Sequence, residues 1–381
     1  MGQFYEFFAG GGMARAGLGT GWQCLLANDI DPKKAESYIK NWGDGEFILS
    51  DVGALSAGDL PKGGDLVWAS FPCQDLSLAG FGAGLQGSRS GTFWPFWNLT
   101  KELIDSGRAP SLIVLENVCG AITSHGGKDF QSICHSIASA GYHFGAIVMD
   151  AIHFVPQSRP RLFFIAVHKG MQIPLSLQQP DPNDFWTTLA LLEAYENLPE
   201  ELRSLWIWWN MPQPLKRNTV FADLIEGNPQ GVRWHTCQET EKLLGMMSQK
   251  NIAKVEIAKE SRKKLIGAIY KRTRRDADGN KVQRAEIRFD DSAGCLRTPA
   301  GGSSRQTIMV VEGNRIRSRL LSPREAARLM GLPDSYALPQ NYNDAYHLAG
   351  DGVVVPVVRH LAEHILEPII ANNKIKKRKA A

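Results

Sequence analysis

Residues 4–31, FYEFFAGGGMARAGLGTGWQCLLANDID, begin the pattern that decides the fold. A short apolar run, Phe4–Phe8, leads into a glycine-rich turn, and a second run, Gln23–Ala27, ends at acidic residues. Strand-like and helix-like runs go on alternating to residue 170, the former at Leu66–Ala69, Leu112–Leu115, Phe144–Met149 and Leu162–Val167 and the latter at Pro32–Trp42, Phe93–Ser106 and Lys128–Ala140. This alternation predicts an α/β fold with a mostly parallel sheet and helices on both faces.

Length and composition restrict the class of protein. The 381 residues exceed the roughly 100–200 of one ordinary domain, so two domains are expected. Hydrophobic residues make up 43% of the chain and charged residues 22%, which excludes a wholly disordered protein; the net charge of +4 is too small to indicate a partner. The cysteines are scattered, so we expect neither disulfides nor a metal site. With no signal-peptide pattern and no apolar stretch near the roughly 20 residues of a membrane span, we expect a cytoplasmic protein without membrane contact.

The glycine-rich turn after the first run is a candidate ligand site. Glycines at a strand-to-helix turn let the backbone approach a ligand that any Cβ would exclude. At the end of the second run, Asp29 in Asn28-Asp29-Ile30-Asp31 offers a carboxylate where a ribose diol would lie. A tight turn and a helix cap would explain the same residues without a ligand. These residues alone do not distinguish a dinucleotide from S-adenosylmethionine.

Three further motifs place reactive side chains at strand ends. Cys73, in Ser70-Phe71-Pro72-Cys73-Gln74, is positioned to act as a nucleophile, although a lone cysteine there is more commonly a buried structural residue. Glu116 can act as a general acid or cap the next helix. Arg159 and Arg161 lie two residues apart at a strand entrance, where they can bind anionic or carbonyl oxygens or form a solvated surface pair.

In this order, the motifs closely resemble those of the cytosine-5 DNA methyltransferases. FAGGGMARAGLG resembles the family's S-adenosylmethionine loop, NDID its ribose-binding acid and SDV (50–52) its adenine contact. FPCQDLSLAG resembles the catalytic loop, ENV the glutamate motif and QSRPRLFFIA the Q-x-R-x-R motif, while LLSPREAARLMGLPD (320–334) and AGDGVVVPVV (349–358) match the last two motifs. The resemblance covers about residues 1–170 and 319–381.

The resemblance implies a domain organisation. Residues 1–170 would form a Rossmann-like catalytic domain that binds S-adenosylmethionine, and 171–318 a smaller, irregular target-recognition domain. Residues 319–381 would return to complete the catalytic domain, with the last helix packed against its first part.

The resemblance also implies a chemistry. The Cys73 thiolate would add to C6 of a flipped cytosine, Glu116 would stabilise or protonate N3, Arg161 would hold the O2 carbonyl and Arg159 would support it. The implied contacts to S-adenosylmethionine are Phe8, Ala9, Gly10, Gly12, Asp29, Ile30, Asp51, Val52, Pro72, Asp351 and Val353. No metal is implied.

The implied partner is double-stranded DNA, bound by a monomer. The basic run Lys250–Arg275, which includes Arg272 and Arg274, suits phosphate contacts, although such a run is also typical of a solvated helix face. The loop Thr298–Gln306 is the candidate for base edges, since arginine suits guanine and glutamine suits adenine. Its candidate residues are Ser303, Ser304, Arg305 and Gln306. The aromatic cluster Trp206–Trp209 favours packing in the hinge over base stacking.

The chain departs from the family pattern at three places. Glu6 stands where the family usually has Asp, Met13 where it usually has a third glycine, and Gly350-Asp351-Gly352 where it usually has Gly-Asn-Ser/Ala. Asp351 would place a negative charge beside the cofactor pocket. The last change raises the alternative of an unusual cofactor and a transferred group other than methyl.

The overall prediction is a sequence-specific DNA cytosine-5 methyltransferase of prokaryotic or phage restriction–modification type, in the cytoplasm of a prokaryotic cell or phage-infected host. The tRNA cytosine-5 methyltransferases share these motifs, but the Cys-Phe-Thr signature of that branch is not in the sequence. A non-enzymatic relic is the third alternative. It is disfavoured because Cys73, Glu116, Arg159 and Arg161 are all present.

Overall fold

The computed structural model describes residues 1–72, 92–275, 279–297 and 305–380, with side chains as far as residue 375. It divides into two compact units: unit 1 is Met1–Asp150, Pro160–Leu215 and Val353–Ala381, and unit 2 is Ala151–Arg159 and Lys216–Gly352. The strands are β1 (Gly2–Phe7), β2 (Trp22–Asp29), β3 (Phe47–Leu49), β4 (Leu66–Ala69), β5 (Leu112–Val118), β6 (Tyr142–Asp150), β7 (Pro160–His168), β8 (Gln178–Gln179), β9 (Trp208–Trp209), β10 (Lys264–Arg275), β11 (Lys281–Arg288), β12 (Thr307–Glu312) and β13 (Arg315–Leu320).

The helices alternate with the strands in the first part of unit 1. In the described residues of unit 2, two helices precede the strands along the chain and two follow them. The helices are α1 (Met13–Leu18), α2 (Pro32–Trp42), α3 (Phe93–Leu103), α4 (Gly120–Thr123), α5 (Lys128–Ser139), α6 (Leu189–Glu196), α7 (Glu200–Arg203), α8 (Cys237–Gly245), α9 (Gln249–Glu260), α10 (Pro323–Leu329), α11 (Tyr342–Asp351), α12 (Val355–Leu361) and α13 (Glu367–Ala380). Each predicted run of the first 170 residues is present within a few residues of its expected bounds.

Unit 1 is built on a seven-stranded sheet of order β3-β2-β1-β4-β5-β7-β6. The pairs among β3, β2, β1, β4 and β5 are parallel, whereas β7 is antiparallel to both β5 and β6. The central strands β4 and β5 are buried on both faces, as expected for a parallel sheet covered by helices. The predicted α/β fold with a mostly parallel sheet is therefore confirmed.

One face of this sheet carries the larger apolar core. Alternate strand residues such as Tyr5, Phe7 and Val67 pack there against side chains of α3, α5, α6 and α7. On the other face Cys24 of β2 contacts Tyr38 of α2, with 3.7 Å between Sγ and the phenol oxygen. The sheet thus lies between two layers of helices.

The stretch that follows β7 packs onto unit 1. The backbone amides of Phe144 and Ile207 bond to the carbonyls of Leu205 and Phe144, and the indole of Trp206 contacts the Phe144 ring at 5.5 Å. Gly145 makes this approach possible, because a Cβ there would lie 2.0 Å from the Ile207 carbonyl oxygen. The aromatic cluster is core packing, as predicted, but it belongs to unit 1 and not to a hinge.

The C-terminal helices return to unit 1. An added Cβ on Gly17 of α1 would lie 2.4 Å from Cβ of Val358 in α12, so these two helices are in close contact. Arg359 donates to the Leu18 carbonyl, and the Trp22 indole of β2 donates to Glu367 at the start of α13. The predicted packing of the last helix against the first domain is confirmed.

Unit 2 contains a four-stranded antiparallel sheet of order β11-β10-β12-β13. Helices α8 and α9 cover one of its faces, where Leu243 and Val255 pack against Ile269 and Met309. The prediction of an irregular second domain missed this sheet, because three of its four strands, β10, β11 and β13, are rich in Lys and Arg and lack the apolar alternation that marks strands in a sequence.

Helix α10 begins with a capping box. Ser322 accepts a hydrogen bond from the Glu325 amide and Glu325 accepts one from the Ser322 amide, with Pro323 in the first turn. The Glu325 carboxylate also forms a bidentate ion pair with Arg319, at 2.6 and 2.7 Å, and both side chains are fully buried.

The unit bounds differ from the predicted domain bounds at three places. Residues 171–215 belong to unit 1, and residues 319–352 and 151–159 belong to unit 2. The first difference follows from the aromatic packing on β6. The second follows from the pairing of β13 with β12. The assignment of catalysis and target recognition to particular segments stays a prediction.

Candidate active site

The glycine-rich turn joins β1 to α1 through left-handed backbone conformations. Phe8 has φ +57°, Gly10 +55° and Gly12 +75°. Phe8 is the unusual member, because residues with a Cβ rarely adopt this region outside functional sites. A Cβ on Gly12 would lie 2.5 Å from Nε1 of Trp42, whose indole donates to the Gly11 carbonyl at 3.1 Å. The turn is therefore held in one shape.

Asp29, at the end of β2, fixes the turn from the side. Its carboxylate accepts hydrogen bonds from the amides of Gly10, at 2.8 Å, and Asp31, at 2.9 Å. Each carboxylate oxygen has a second lone pair that a ligand hydroxyl can use. The next residue, Ile30, is 63% exposed, an apolar side chain left open at the sheet edge.

Glu6 lies beneath the turn and caps α1. Its carboxylate accepts hydrogen bonds from the amides of Ala14 and Arg15 in the first turn of that helix. The side chain is buried, and its Oε2 atom has no hydrogen-bond partner. Burial raises the pKa of the Glu6 carboxyl to about 8, although the two amides and the charge of Arg15 act to lower it. Nothing in the sequence pattern indicated this state, since Glu6 was noted only as a departure from Asp.

Two more strand ends meet the same edge of the sheet. After β3, Asp51 is exposed and caps a short turn through the Gly53 amide, while Val52 is buried. After β4, Phe71 and Pro72 follow, and Asn117 of β5 donates to the Phe71 carbonyl at 3.3 Å. Since β3, β2, β1 and β4 are adjacent and parallel, their carboxyl ends form one continuous edge, the place where α/β sheets bind ligands.

Glu116 and Arg161 form an ion pair beside this edge. Arg161 is the second residue of β7 and Glu116 lies two residues before the end of β5, and Nε of Arg161 lies 3.2 Å from Oε1 of Glu116. Both side chains are largely buried, with 15% and 7% of their surfaces exposed. The pair combines an acid and a guanidinium within reach of one bound group. The structure thus brings together two residues that the sequence placed 45 positions apart.

Cys73 lies outside the described residues. Among the cysteines that are described, burial raises the pKa of Cys24 to about 12 and that of Cys119 to about 11, and it raises that of Cys134 well above the ordinary thiol value. Thiols with raised pKa values are poor nucleophiles near neutral pH. These three residues are therefore unsuited to nucleophilic catalysis.

Arg159 belongs to unit 2 and makes a different set of contacts. Its guanidinium donates to the carbonyls of Leu296, Gly350 and Gly352 at 2.8–2.9 Å and contacts Sγ of Cys295 at 3.2 Å. The side chain is 2% exposed. Arg159 thus positions the backbone on both sides of Asp351, and its supporting role in catalysis stays a prediction.

Gln157, two residues earlier, was part of a motif but received no role from the sequence. It is fully buried, accepts from the Leu296 amide and donates to the Leu329 carbonyl. Gln157 and Arg159 together hold three distant backbone segments of unit 2. Only a structure shows these contacts, because backbone partners leave no sequence signal.

The described residues among the predicted DNA contacts differ in exposure and in their partners. Arg272 and Arg274 lie on β10, are about half exposed and share Glu286 as a partner. Arg305 stacks over the Tyr342 ring and bonds to Asn343. Ser303 and Ser304 lie outside the described residues.

The burial of Gln306 contradicts the prediction that this residue contacts a base edge. Its side chain is 3% exposed, and the amide nitrogen donates to the carbonyls of Ile269 and Thr307. A buried amide whose donors already bind backbone is not available to a base edge.

No group of three or more His, Cys, Asp or Glu side chains within the described ranges is arranged to hold a metal ion. Within those ranges, no helix is both long enough and apolar enough to cross a membrane.

Comparisons with known proteins agree on one family. The family model described as "C-5 cytosine-specific DNA methylase" matches residues 2–367. Type II methyltransferase M.HpaII of Haemophilus parainfluenzae is 25% identical, with 96% of this chain and 89% of the relative covered. Type II methyltransferase M.HhaI of Haemophilus parahaemolyticus is 24% identical, with 95% and 94% covered.

Solved structures share the fold. The Entamoeba histolytica methyltransferase EhMeth matches with a TM-score of 0.63 at 14% identity, over 97% of this chain and 98% of that one. The Schizosaccharomyces pombe Dnmt2 methyltransferase matches with a TM-score of 0.57 at 17% identity, over 97% and 99%. At these identities the likeness concerns the fold alone.

Proposed function

Because the chain belongs to the C-5 cytosine-specific DNA methylase family and is a DNA cytosine-5 methyltransferase, we propose that it methylates a flipped cytosine through a covalent adduct of Cys73. The family implies S-adenosylmethionine as cofactor and DNA as substrate. The observation that carries the proposal is the buried pair of Glu116 and Arg161, at the sheet edge that also presents the glycine turn and Asp29.

The residues at the sheet edge fit S-adenosylmethionine better than a dinucleotide. A dinucleotide places its pyrophosphate on the amides of the helix N-terminus. In this chain the Glu6 carboxyl already accepts from the α1 amides, so these amides are not free to bind a phosphate. S-adenosylmethionine has no phosphate, so this conflict does not arise.

The proposed contacts follow from the same geometry. The Asp29 carboxylate would accept hydrogen bonds from the ribose hydroxyls, Ile30 would cover one face of the adenine and Asp51 would accept from its amino group. Phe8, Ala9, Gly10, Gly12, Val52, Pro72, Asp351 and Val353 would complete the site. When bound, the cofactor supplies an electrophilic methyl group.

The chemical steps assign one task to each side chain. The Cys73 thiolate would form a bond to C6 of the cytosine, while Glu116 donates a hydrogen bond or proton to N3 and Arg161 holds O2. C5 thereby becomes electron-rich and accepts the methyl group. A base, which can be water, then removes the C5 proton, the C6–sulfur bond breaks, Cys73 leaves as the thiolate and N3 returns any proton it received to Glu116.

Arg161 would also orient its neighbour. At 3.2 Å its guanidinium restricts the Glu116 carboxyl to one position, and fixed orientation is a large part of catalysis. A cytosine inside a duplex cannot reach such a site, so the base must be flipped out at a cost of a few kcal/mol.

The proposed biological role is restriction–modification or protection of phage or host DNA, because the similar curated proteins are type II methyltransferases. Arg272, Arg274 and Arg305 remain proposed DNA contacts in unit 2.

Bisulfite sequencing of DNA from cells that express the protein tests the activity, since it reveals methylated cytosines and their sequence context. Sequencing of RNA treated in the same way separates DNA from tRNA as substrate. Cys73→Ala should abolish methylation while duplex binding is retained, and wild type should form a stable adduct with DNA that carries 5-fluorocytosine. A Cys73→Ala protein that still methylates DNA would rule out the covalent mechanism.

A further inference from the structure

Strands β10 and β11 continue as a two-stranded ribbon beyond the sheet of unit 2. The pairing of β10 with β12 ends at Ile269–Thr307, whereas its pairing with β11 goes on to Arg275–Lys281. Six residues of β10, Tyr270–Arg275, therefore extend about 20 Å beyond the end of β12 pairing. We call residues 271–275 and 281–284 the basic ribbon.

The basic ribbon has no apolar core of its own. Ala285, opposite Lys271, is fully buried and is the last core residue on this side. The four pairs that follow, 272–284, 273–283, 274–282 and 275–281, contain no buried residue. Two-stranded ribbons without a packed face are marginal in water, so nothing in the described fold requires this one.

The charges of the basic ribbon destabilise its paired conformation. Five of the eight residues in those four pairs are basic and none is acidic. Arg272 lies directly opposite Arg284, and Arg275 lies directly opposite Lys281. Like charges in directly opposed positions destabilise an antiparallel pair. Glu286, the partner of Arg272 and Arg274, offsets only part of this repulsion. Binding of an anionic partner would remove the remaining repulsion between these cations.

The two faces of the basic ribbon differ. Side chains alternate between faces, so Arg272, Arg274 and Arg284 share one face, and Thr273 and Gln283 share the other. On that second face the neutral polar pair Thr273–Gln283 lies between cations, with Lys271 on one side and the pair Arg275–Lys281 on the other. Neutral hydrogen-bonding groups flanked by cations match a row of base edges flanked by phosphates.

We propose that the basic ribbon lies in the major groove of the DNA duplex that the enzyme modifies, with Thr273 and Gln283 facing the base edges. Two strands about 5 Å apart, with their side chains, fit a groove about 12 Å wide that admits a β-ribbon. Gln283 has the amide that pairs with adenine, and Arg275 and Lys281 reach the phosphates on either side. The idea rests on the proposed function only in the identity of the target duplex.

The first test separates charge from base reading. Lys281→Gln combined with Arg275→Gln should weaken binding to random-sequence duplexes and lower the salt slope by about two units. The control is Lys242→Gln with Lys62→Gln, which removes two exposed charges elsewhere and should have no such effect. Arg284→Gln should also raise the unfolding temperature of the DNA-free protein slightly, because it relieves repulsion with Arg272. A salt slope that is the same in both double variants would overturn the proposal.

The second test concerns the facing residues. On a duplex that carries the site mapped by bisulfite sequencing, Gln283→Ala should weaken binding about 5- to 150-fold and leave random-sequence binding unchanged. Dimethyl sulfate footprinting of the wild-type complex should show protected guanine N7 atoms, which lie in the major groove. Unprotected N7 atoms, or equal loss of affinity on both duplexes, would remove the ribbon from the groove. If wild type methylates no cytosine at all, the proposed function fails, while the first test still decides about the ribbon.

Discussion

The guanidinium of Arg161 contacts the carboxylate of Glu116 diagonally across two antiparallel strands. Arg161 is directly opposite Val118, two residues beyond Glu116 on β5, and a diagonal neighbour on the same face is within reach of a long side chain. The register of β5 and β7 therefore sets the 3.2 Å separation of the two groups. A rigid sheet, and not a loop, holds this part of the site ready before any substrate binds.

Removing the acid should slow the chemical step. Glu116→Gln keeps the shape of the side chain but cannot deliver a proton to N3, so methyl transfer should fall by about 10²- to 10⁴-fold. Duplex binding should change little. Single-turnover methyl transfer, measured together with fluorescence anisotropy of the same duplex, separates the two effects. A variant that transfers methyl at the wild-type rate would show that Glu116 has no part in the chemistry.

Replacing the guanidinium should have a graded effect. Arg161→Lys keeps the charge but loses the fixed fork of donors, so it should impair transfer less than Arg161→Ala and more than an exposed control such as Arg203→Lys. Single-turnover rates for the three variants test this order. Equal rates for the Lys and Ala variants would mean that the fork geometry, and not the charge, is what the site uses.

The buried carboxyl of Glu6 makes stability depend on pH. Its pKa is about 8 in the folded chain against 4.5 ordinarily, so between these values the unfolded chain loses a proton that the folded chain keeps. Ionisation then favours unfolding, and stability falls as pH rises from about 5 to 8. Glutamine does not titrate, so the Glu6→Gln variant does not lose stability in this way. The unfolding free energy of Glu6→Gln minus that of wild type should therefore grow from about pH 5 to 8 and level off above pH 8. Urea unfolding at several pH values checks it. Glu36→Gln is the control at an exposed position, and its difference in unfolding free energy from wild type should not change over this window. If the difference for Glu6→Gln also stayed constant with pH, the argument that burial raises the pKa of Glu6 would be wrong.

The buried ion pair of unit 2 should be costly to break from one side. Arg319→Met leaves the Glu325 carboxylate buried without its cation and should destabilise the protein by about 3–5 kcal/mol. The double change Arg319→Met with Glu325→Leu should recover part of that loss. By comparison, Lys40→Ala at the exposed pair with Glu36 should cost only a few tenths of a kcal/mol. Urea unfolding free energies of wild type, Arg319→Met, Glu325→Leu and the double variant provide the double-mutant test, and additive losses would argue against coupling.

Asp351 should distinguish the cofactor from its product. A carboxylate within about 4–6 Å of the sulfonium favours the positive cofactor over the neutral demethylated product. Asp351→Asn should then reduce affinity for S-adenosylmethionine by about 5- to 30-fold and leave product affinity unchanged. Calorimetric titration of both forms, with Asp344→Asn on the same helix as control, measures the ratio. An unchanged ratio would make Asp351 a structural residue.

The sequence predicts the structure of residues 1–170 well because the signals in this part of the chain are local. Strand composition, glycine turns and helix caps all act between residues close in sequence, and β4 (Leu66–Ala69) and α2 (Pro32–Trp42) have the predicted bounds. The cap formed by Ser322 and Glu325 follows from four consecutive residues. The pairing of Glu116 with Arg161 could be anticipated only as two strand ends, since register is not readable from either strand alone.

The second unit escaped prediction for a physical reason. Its sheet presents arginines on exposed and partly exposed positions, so β10 and β13 lack the apolar alternation on which strand prediction depends. Gln306 was misplaced for a related reason: glutamine in a polar, glycine-containing loop is typical of a surface, but its amide closes a buried gap between Ile269 and Thr307. Burial of a polar side chain depends on distant partners that the local sequence does not reveal.

The nine residues 151–159 join unit 2 although the strands on both sides of them belong to unit 1. Gln157 and Arg159 in this segment bind mainly main-chain atoms, at Leu296, Leu329, Gly350 and Gly352. Hydrogen bonds to main-chain atoms do not depend on which side chains the bound residues carry. Exposed side chains of residues 216–352 can therefore change without loss of these main-chain contacts to Gln157 and Arg159.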